Sequence, residues 1–333
     1  MTTINDIAKK ASVGIGTVSR VLSGKGSVSE KTRERILKVM SELNYRPNSV
    51  ARSLATRQTN SIGVMVPEFH GRYFGRLITS AERNFRQDGR HIMVARGFGG
   101  SPEELSAIEH LRDRECDGLI LYSTELSDDT LLDLIHSYPN IALINRIVEG
   151  VEDHCFTVDH RYGGGLAARH LLSAGHRDIA CITGPRYKAD AMERQAGFEA
   201  ALAESGIEPG SLIKLEGDYN YASGALCMEH LWKGRRGRFT AVFCGNDDMA
   251  VGALFKLTEL GARVAEEVSI IGYDDAHLAA HTFPKLTTVF NPIEEIANNA
   301  AAYLRNLCYK QHNEVRKNFE PRLIERNSVR QIG

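Results

Sequence analysis

The stretch Thr3-Ile4-Asn5-Asp6-Ile7-Ala8-Lys9-Lys10-Ala11-Ser12-Val13-Gly14-Ile15-Gly16-Thr17-Val18-Ser19-Arg20-Val21-Leu22 reads as two short helices joined by a tight turn. Ile4, Ile7, Ala8 and Ala11 recur at helical spacing and give the first helix one apolar face. Thr3 is placed to cap its start, with Asp6 three residues on. Ser12-Val13-Gly14 interrupts the pattern, and Gly14 permits a sharp change of direction. Val18, Val21 and Leu22 form the apolar stripe of the second helix. Ile15, Gly16, Thr17, Ser19 and Arg20 are left facing outward near its start. A third helix is expected from about Ser29, a plausible cap, to Asn44, with Ile36, Leu37, Met40 and Leu43 inward. Three short helices bury one small core, and a helix-turn-helix of this kind can set its second helix in the major groove of DNA.

Charge agrees. Residues 1–60 carry eleven Lys/Arg against four acids, a surplus of seven positive charges. The whole chain stands at −1, so the remainder carries −8. A basic head on an acidic body confines phosphate binding to one end.

With 333 residues the chain has room for two or three domains. No apolar run reaches membrane-spanning length, and the start lacks a charged-then-apolar signal peptide. The six cysteines are scattered without a Cys-x-x-Cys pair, as free thiols of a cytoplasmic protein would be.

Residues 46–59 read as a linker. Val50, Ala51, Leu54 and Ala55 make a very short apolar helix face, too short to be stable without a partner chain or DNA. From Ser61 the pattern becomes alternating strands and helices. Strands are expected at Ser61–Pro67, His91–Ala95, Gly118–Tyr122 and Ile141–Asn145, then in a second set at Ile179–Thr183, Leu212–Glu216, Ala241–Cys244 and Ser269–Tyr273. Repeated βα units imply parallel sheets covered by helices, and two sets imply two lobes with a cleft between them. Polar residues collect at the strand ends: Asn145-Arg146, Asn246-Asp247-Asp248 and Asp274-Asp275, with Arg194, Tyr219 and Asn291 near other junctions. Any one could be a helix cap or turn former. Together they suit a polyhydroxylated ligand, whose hydroxyls need paired donors and acceptors and whose ring face stacks on an aromatic.

The chain resembles the lactose/galactose-repressor family of bacterial transcription regulators over nearly its whole length. The resemblance rests on Thr17-Val18-Ser19-Arg20-Val21-Leu22, Tyr45-Arg46-Pro47-Asn48, Ala51-Arg52-Ser53-Leu54-Ala55, His170-Leu171 with Gly175-His176, Asn246-Asp247, and Gly272-Tyr273-Asp274-Asp275 with Leu286-Thr287-Thr288-Val289. Leu143–Ile147 and Asp159–Gly163 look most like the galactose-repressor branch.

The resemblance implies a helix-turn-helix domain over 1–45, a hinge helix in 46–59, and over 60–333 a two-lobed sensor like the type I periplasmic binding proteins. Its N-lobe would take about 60–160 and 290–321, its C-lobe 161–289 and 322–333. It implies a repressor of sugar-utilisation genes, a homodimer reading a pseudo-palindromic operator, controlled by a small sugar, galactose or a related hexose or glycoside. Ile15, Gly16 and Arg20 would face base edges, Thr17 and Ser19 phosphates, and Asn48 and Ala51 would join Leu54, the minor-groove wedge, at the DNA. Phe69, Phe74, Asn145, Arg146, Asp159, Arg194, Tyr219, Asn246, Asp274 and Asn291 would contact the effector, with Glu68 adjacent. Gly16 departs from expectation, since a base-reading position without a side chain either lets the backbone approach closely or leaves that base unread.

Other chemistry finds little support. No His-Glu-x-x-His or Cys/His cluster suggests a metal, and no cofactor is expected. Gly97-Phe98-Gly99-Gly100-Ser101-Pro102 lacks the third glycine of a dinucleotide loop, and there is no Gly-x-Ser-x-Gly elbow. The alternative is a sugar-processing α/β enzyme with an appended DNA-binding head, its cleft Asp and Arg doing acid–base work.

Overall fold

The computed structural model describes residues 2–23, 26–45, 58–69, 71–97 and 99–332. The chain divides into two compact units, Met1–Ser61 and Ile62–Gly333.

The first unit holds α1 (Ile4–Lys10), α2 (Ile15–Ser23) and α3 (Glu30–Glu42). Thr3 and Asp6 form a reciprocal capping box at α1, and Ser29 caps α3. Ile7, Ala8, Ala11, Val18, Val21, Ile36 and Val39 form its core. Two expectations need correction. The left-handed residue of the α1–α2 turn is Ser12, at φ 51°, not Gly14. Gly14 instead starts α2, its carbonyl accepting from the Thr17 and Val18 amides at 2.9 and 3.2 Å. On α3, Leu37 is half exposed and Val39 is buried. Counting from Ile36, the inward face continues at +3, +4 and +7, and Leu37 lies about 100° away from it.

The second unit contains two six-stranded sheets. The N-lobe sheet is built from β1 (Ser61–Val66), β2 (His91–Arg96), β3 (Gly118–Leu121), β4 (Ile141–Ile144), β5 (Cys155–Val158) and β11 (Asn318–Phe319), in the order β11-β5-β4-β3-β1-β2. The C-lobe sheet has β6 (Ile179–Thr183), β7 (Ile213–Glu216), β8 (Ala241–Cys244), β9 (Ser269–Asp274), β10 (Thr287–Phe290) and β12 (Arg322–Ile324), in the order β12-β10-β9-β8-β6-β7. β12 runs antiparallel to β10, with Val289 opposite Leu323. The central strands, such as Gly118–Leu121 and Ala241–Cys244, are buried throughout, as parallel strands between helical layers must be.

Helices α4 (Arg72–Arg86), α5 (Ser101–Asp113), α6 (Asp128–Ser137) and α11 (Ile293–Tyr309) belong to the N-lobe. The C-lobe has α7 (His160–Ser173), α8 (Ala189–Glu204), α9 (Tyr221–Arg235) and α10 (Asp247–Glu259). The chain crosses between lobes after β5, after β10 and after β11. β5, β10, β11 and β12 were not expected from the sequence; β11 and β12 are only two and three residues long. α11 returns to the N-lobe, laying Ile293, Ile296, Ala297, Ala300 and Leu304 on the same core as Leu77 and Phe85 of α4.

α7 and α8 meet backbone to backbone. A Cβ on Gly164 would lie 2.0 Å from the Arg194 carbonyl, and one on Gly197 1.7 Å from that of Arg161. Only glycine permits this approach, and it brings the Arg194 side chain within reach of the first residue of α7. At the N-lobe rim the buried Glu104 of α5 accepts from Ser123 Oγ (2.5 Å) and from the Thr124, Glu125 and Leu126 amides at 2.8, 3.2 and 3.3 Å. This pins the loop after β3 beside the cleft.

Candidate functional site

Two surfaces carry polar chemistry. On the head, the outer face of α2 presents Ile15, 51% exposed, together with Gly16, Ser19 and Arg20, with Thr17 half-buried. Arg20 folds back along the helix, its Nε donating to the Gly16 carbonyl at 3.1 Å and Nη2 to Thr17 Oγ1 at 3.3 Å. A Cβ on Gly16 would meet nothing within 4 Å, so nothing inside the head requires glycine there. Asn48, Ala51 and Leu54 lie outside the described residues.

The second surface is the cleft between the lobes. Its inner cavity measures about 70 Å³ and is lined by residues that include Tyr73, Phe74, Tyr122, Arg194, Tyr219, Asn246, Asp248 and Asp274. An outer cavity of about 820 Å³ opens beyond it, and Tyr122 and Asp190 line both.

Arg194 stands at the centre of the inner cavity, 3% exposed. Its Nε donates to His160 Nδ1 at 3.3 Å and Nη1 to the Gly245 carbonyl at 2.8 Å. Nη2 lies 3.3 Å from carboxylate oxygens of both Asp190 and Asp274. The guanidinium also stacks over Tyr273, 4.0 Å from the ring centroid. Two carboxylates hold this buried cation charged, as burial alone would not.

His160 joins the lobes. Its Nε2 is 2.6 Å from Asn145 Oδ1, and the Asn145 amide donates to Tyr122 Oη at 2.7 Å. With Nδ1 accepting from Arg194, Nε2 must carry the proton. Burial, and then the Arg194 charge, push the imidazole well below its usual range and keep it neutral. A hydrogen-bonded path thus runs from the C-lobe arginine across the cleft to an N-lobe tyrosine.

Asp274 Oδ1 accepts from Asn291 Nδ2 at 3.1 Å, and burial raises its carboxyl to about 6 against the pull of Arg194. Asn246 caps α10 through the Met249 amide and donates to the Tyr219 carbonyl at 2.8 Å. Asn145, Tyr219 and Asp274 all have positive φ, at 65°, 70° and 104°. Strain of this kind, at the ends of three different strands, persists only where the surroundings enforce it, and it clusters at ligand sites. Tyr73, Phe74 and Tyr122 make edge contacts with one another at 5.0 to 6.1 Å. Of four buried side-chain polar atoms without a hydrogen-bond partner among the described residues, two, Tyr219 Oη and Asn291 Oδ1, belong to this region.

The expected effector residues therefore divide. Phe74, Arg194, Tyr219, Asn246 and Asp274 line the inner cavity, and Asn291 stands behind Asp274. Asn145, Arg146 and Asp159 line the outer one, with Asp159 also capping α7 through the Tyr162 amide at 2.7 Å. Phe69 is not brought in: it is 54% exposed, and its neighbour Glu68 lines the inner cavity instead. The adjacent carboxylates of α10 also part company. Asp248 faces the inner cavity, whereas Asp247 is tied to Thr288 Oγ1 and the Ala276 amide, both at 2.6 Å. Sequence reasoning missed Tyr73, Tyr122, His160 and Asp190. Only His160, directly after Asp159 at a strand-to-helix junction, carried a usable signal. Among the described residues no group of three or more His, Cys, Asp or Glu is arranged to hold a metal. Nor is any described helix long and apolar enough to cross a membrane.

Residues 3–48 match the profile of bacterial regulatory proteins of the lacI family, and 168–329 that of the periplasmic binding protein-like domain. The transcriptional regulator AscG of Escherichia coli K12 is 38% identical over 99% of this chain and 98% of its own length. This chain belongs to the lacI family. GalR of the same organism is 36% identical, covering 99% of this chain and 96% of GalR. The Lac repressor dimer, solved on operator with the anti-inducer ONPF, is 29% identical with a TM-score of 0.86, over 99% of each chain. The chain is thus a DNA-binding transcriptional regulator. Its full-length relatives are regulators, which sets the enzyme alternative aside.

Proposed function

We propose that this lacI-family regulator is a cytoplasmic homodimeric repressor of sugar-utilisation genes, controlled by a small sugar in the interlobe cleft, galactose or a related hexose or glycoside. The observation that carries the sugar reading is the inner cavity. Two buried polar atoms lack partners, Tyr219 Oη and Asn291 Oδ1. Tyr219 lines the cavity with Asp274, Arg194, Asn246 and a group of aromatic rings, and Asn291 stands behind Asp274. Hydroxyls would complete the hydrogen bonds, and the rings suit the apolar face of a pyranose. The solved relative that carries both operator and an anti-inducer supports a molecule with two ligands.

In this reading two heads contact two half-sites, Ile15 and Arg20 read bases, and Leu54 wedges into the minor groove. Sugar binding changes the orientation of the lobes through the Arg194–His160–Asn145–Tyr122 path, and operator affinity follows. Melting-temperature screening against a sugar panel tests the ligand class, since a ligand of the native state raises the midpoint. Titrating the active sugar with and without operator tests the coupling. Its affinity must change by the same factor by which sugar changes operator affinity. Identical sugar affinities would refute it. Leu54→Ala should weaken specific binding more than non-specific binding, and equal loss would remove the wedge.

A further inference from the structure

We infer that Thr17 is a positioning residue for base recognition: with the Gly16 carbonyl, its hydroxyl sets the plane in which the Arg20 guanidinium meets a base edge. This rests on the reading above that Arg20 faces bases, and deepens it. A recognition helix meets base edges with its N-terminal residues. Arg20 is the sixth residue of α2, about a turn beyond them. Its side chain runs back toward the helix start and delivers the guanidinium to the level of the second and third residues. Nε donates to the Gly16 carbonyl at 3.1 Å and Nη2 to Thr17 Oγ1 at 3.3 Å. Two bonds from different nitrogens of one planar group fix both its direction and its tilt. The stem is bounded as well. Gly26, in the connection to α3, has φ 91°, and a Cβ there would lie 3.1 Å from Arg20 Cδ and 3.6 Å from Cγ.

Helix geometry explains why Thr17 has this part. Residues three and four before Arg20 share its face of α2, and these are Thr17 and Gly16. Gly16 offers only its backbone, so the side chain that steers the guanidinium is that of Thr17. Thr17 is half-buried, and its branched Cβ restricts the rotamers open to the hydroxyl. The hydroxyl accepts from Arg20 and keeps its own hydrogen to donate, so a phosphate contact by the same group is compatible with the steering. A long, unrestrained arginine would give up most of its rotamer freedom on meeting the O6/N7 edge of a guanine. Arg20 gives up much of that freedom in the head itself, before DNA arrives.

The test uses the full-length protein and the duplex it selects from a randomised pool. Affinities are measured for that duplex, for each of its single-base-pair variants and for a scrambled duplex. Arg20→Ala should flatten discrimination by about tenfold or more at one base pair of each half-site. At that pair Thr17→Val and Thr17→Ala should each lose about fivefold of the discrimination, and Thr17→Ser no more than about twofold. Thr17→Val should add less than about twofold to the loss already caused by Arg20→Ala, since the two residues act as one. A hydroxyl that serves a phosphate alone would weaken every duplex by one factor, and its loss would add in full to that of Arg20→Ala. That result overturns the inference and leaves Arg20 as a base reader. An Arg20→Ala protein that discriminates as the parent does removes the base-reading assignment, and this inference with it.

Discussion

Gly16→Ala separates the folding of the head from its reading of DNA. Gly16 is the second residue of α2, its φ is not left-handed, and a Cβ built there meets nothing within 4 Å. Nothing in the head resists a methyl group, and alanine is the better helix former by up to about 1 kcal/mol. The substitution should therefore stabilise α2 by up to about 1 kcal/mol, measured as slower hydrogen exchange of its amides. The same methyl would stand beside Ile15 and Ser19, on the face proposed to meet base edges. If glycine is there so that the backbone can approach DNA, operator binding should weaken by about 1–3 kcal/mol, the scale of one mismatched base pair. Non-specific binding, carried by phosphate contacts, should change far less. Fluorescence anisotropy with operator and with scrambled duplex at one salt concentration measures both. Unchanged or tighter operator binding in a stabilised head would refute the close-approach argument. Gly16 would then face a base that the protein does not read.

Three further outcomes follow from the sensor. Arg194→Ala leaves Asp190 and Asp274 buried without their cation, so it should destabilise the sensor by about 3–5 kcal/mol and abolish the effector response, with operator binding retained; an unaltered melting temperature and response would remove Arg194 from the centre of the site. Asp274 has a carboxyl raised by burial from its ordinary 3.8 to about 6, so between those values the folded protein holds a proton that the unfolded chain does not. Its contribution to stability should rise as pH falls from about 6 toward 4, and be lost as pH rises through 6. If Asp274 accepts from effector hydroxyls as the ionised carboxylate, affinity should fall up to about tenfold per pH unit below 6, and Asp274→Asn should flatten that profile. Glu104→Gln puts an amide nitrogen where an oxygen accepts either from Ser123 Oγ and the Leu126 amide or from the Thr124 and Glu125 amides, and should cost about 2–4 kcal/mol on chemical denaturation.

The head was legible because its burial is periodic and local. The errors there, Leu37 for Val39 and Gly14 for Ser12, are displacements of two positions that spacing alone does not resolve. In the sensor, the strand ends exposed Asn145, Asn246 and Asp274, since polar residues recur there after several apolar runs, more than capping one helix accounts for. Tyr122 and Asp190 gave no such sign. The first reads as the end of an apolar strand and the second as an ordinary acid in the first turn of a helix. What joins them to the site is tertiary contact: Tyr122 meets the Phe74 ring and the Asn145 amide, and Asp190 lies 3.3 Å from Arg194, on the helix that packs against α7 at Gly164 and Gly197. His160 was visible as a position but not as a link, because its partners Asn145, Arg194 and Tyr273 come from three other segments.

The left-handed residues at the three strand ends bear on how such a sensor changes ligand over generations. Asparagine and aspartate tolerate positive φ, so Asn145 and Asp274 suit their backbone whatever they bind. Tyrosine does not, and Tyr219 keeps φ 70° at a cost to folding, in the turn where the Asn220 amide donates to Asp218 Oδ1. In a lineage that no longer senses this effector, position 219 is where drift to asparagine or glycine should come first, with Asn145 and Asp274 outlasting the specificity they once served.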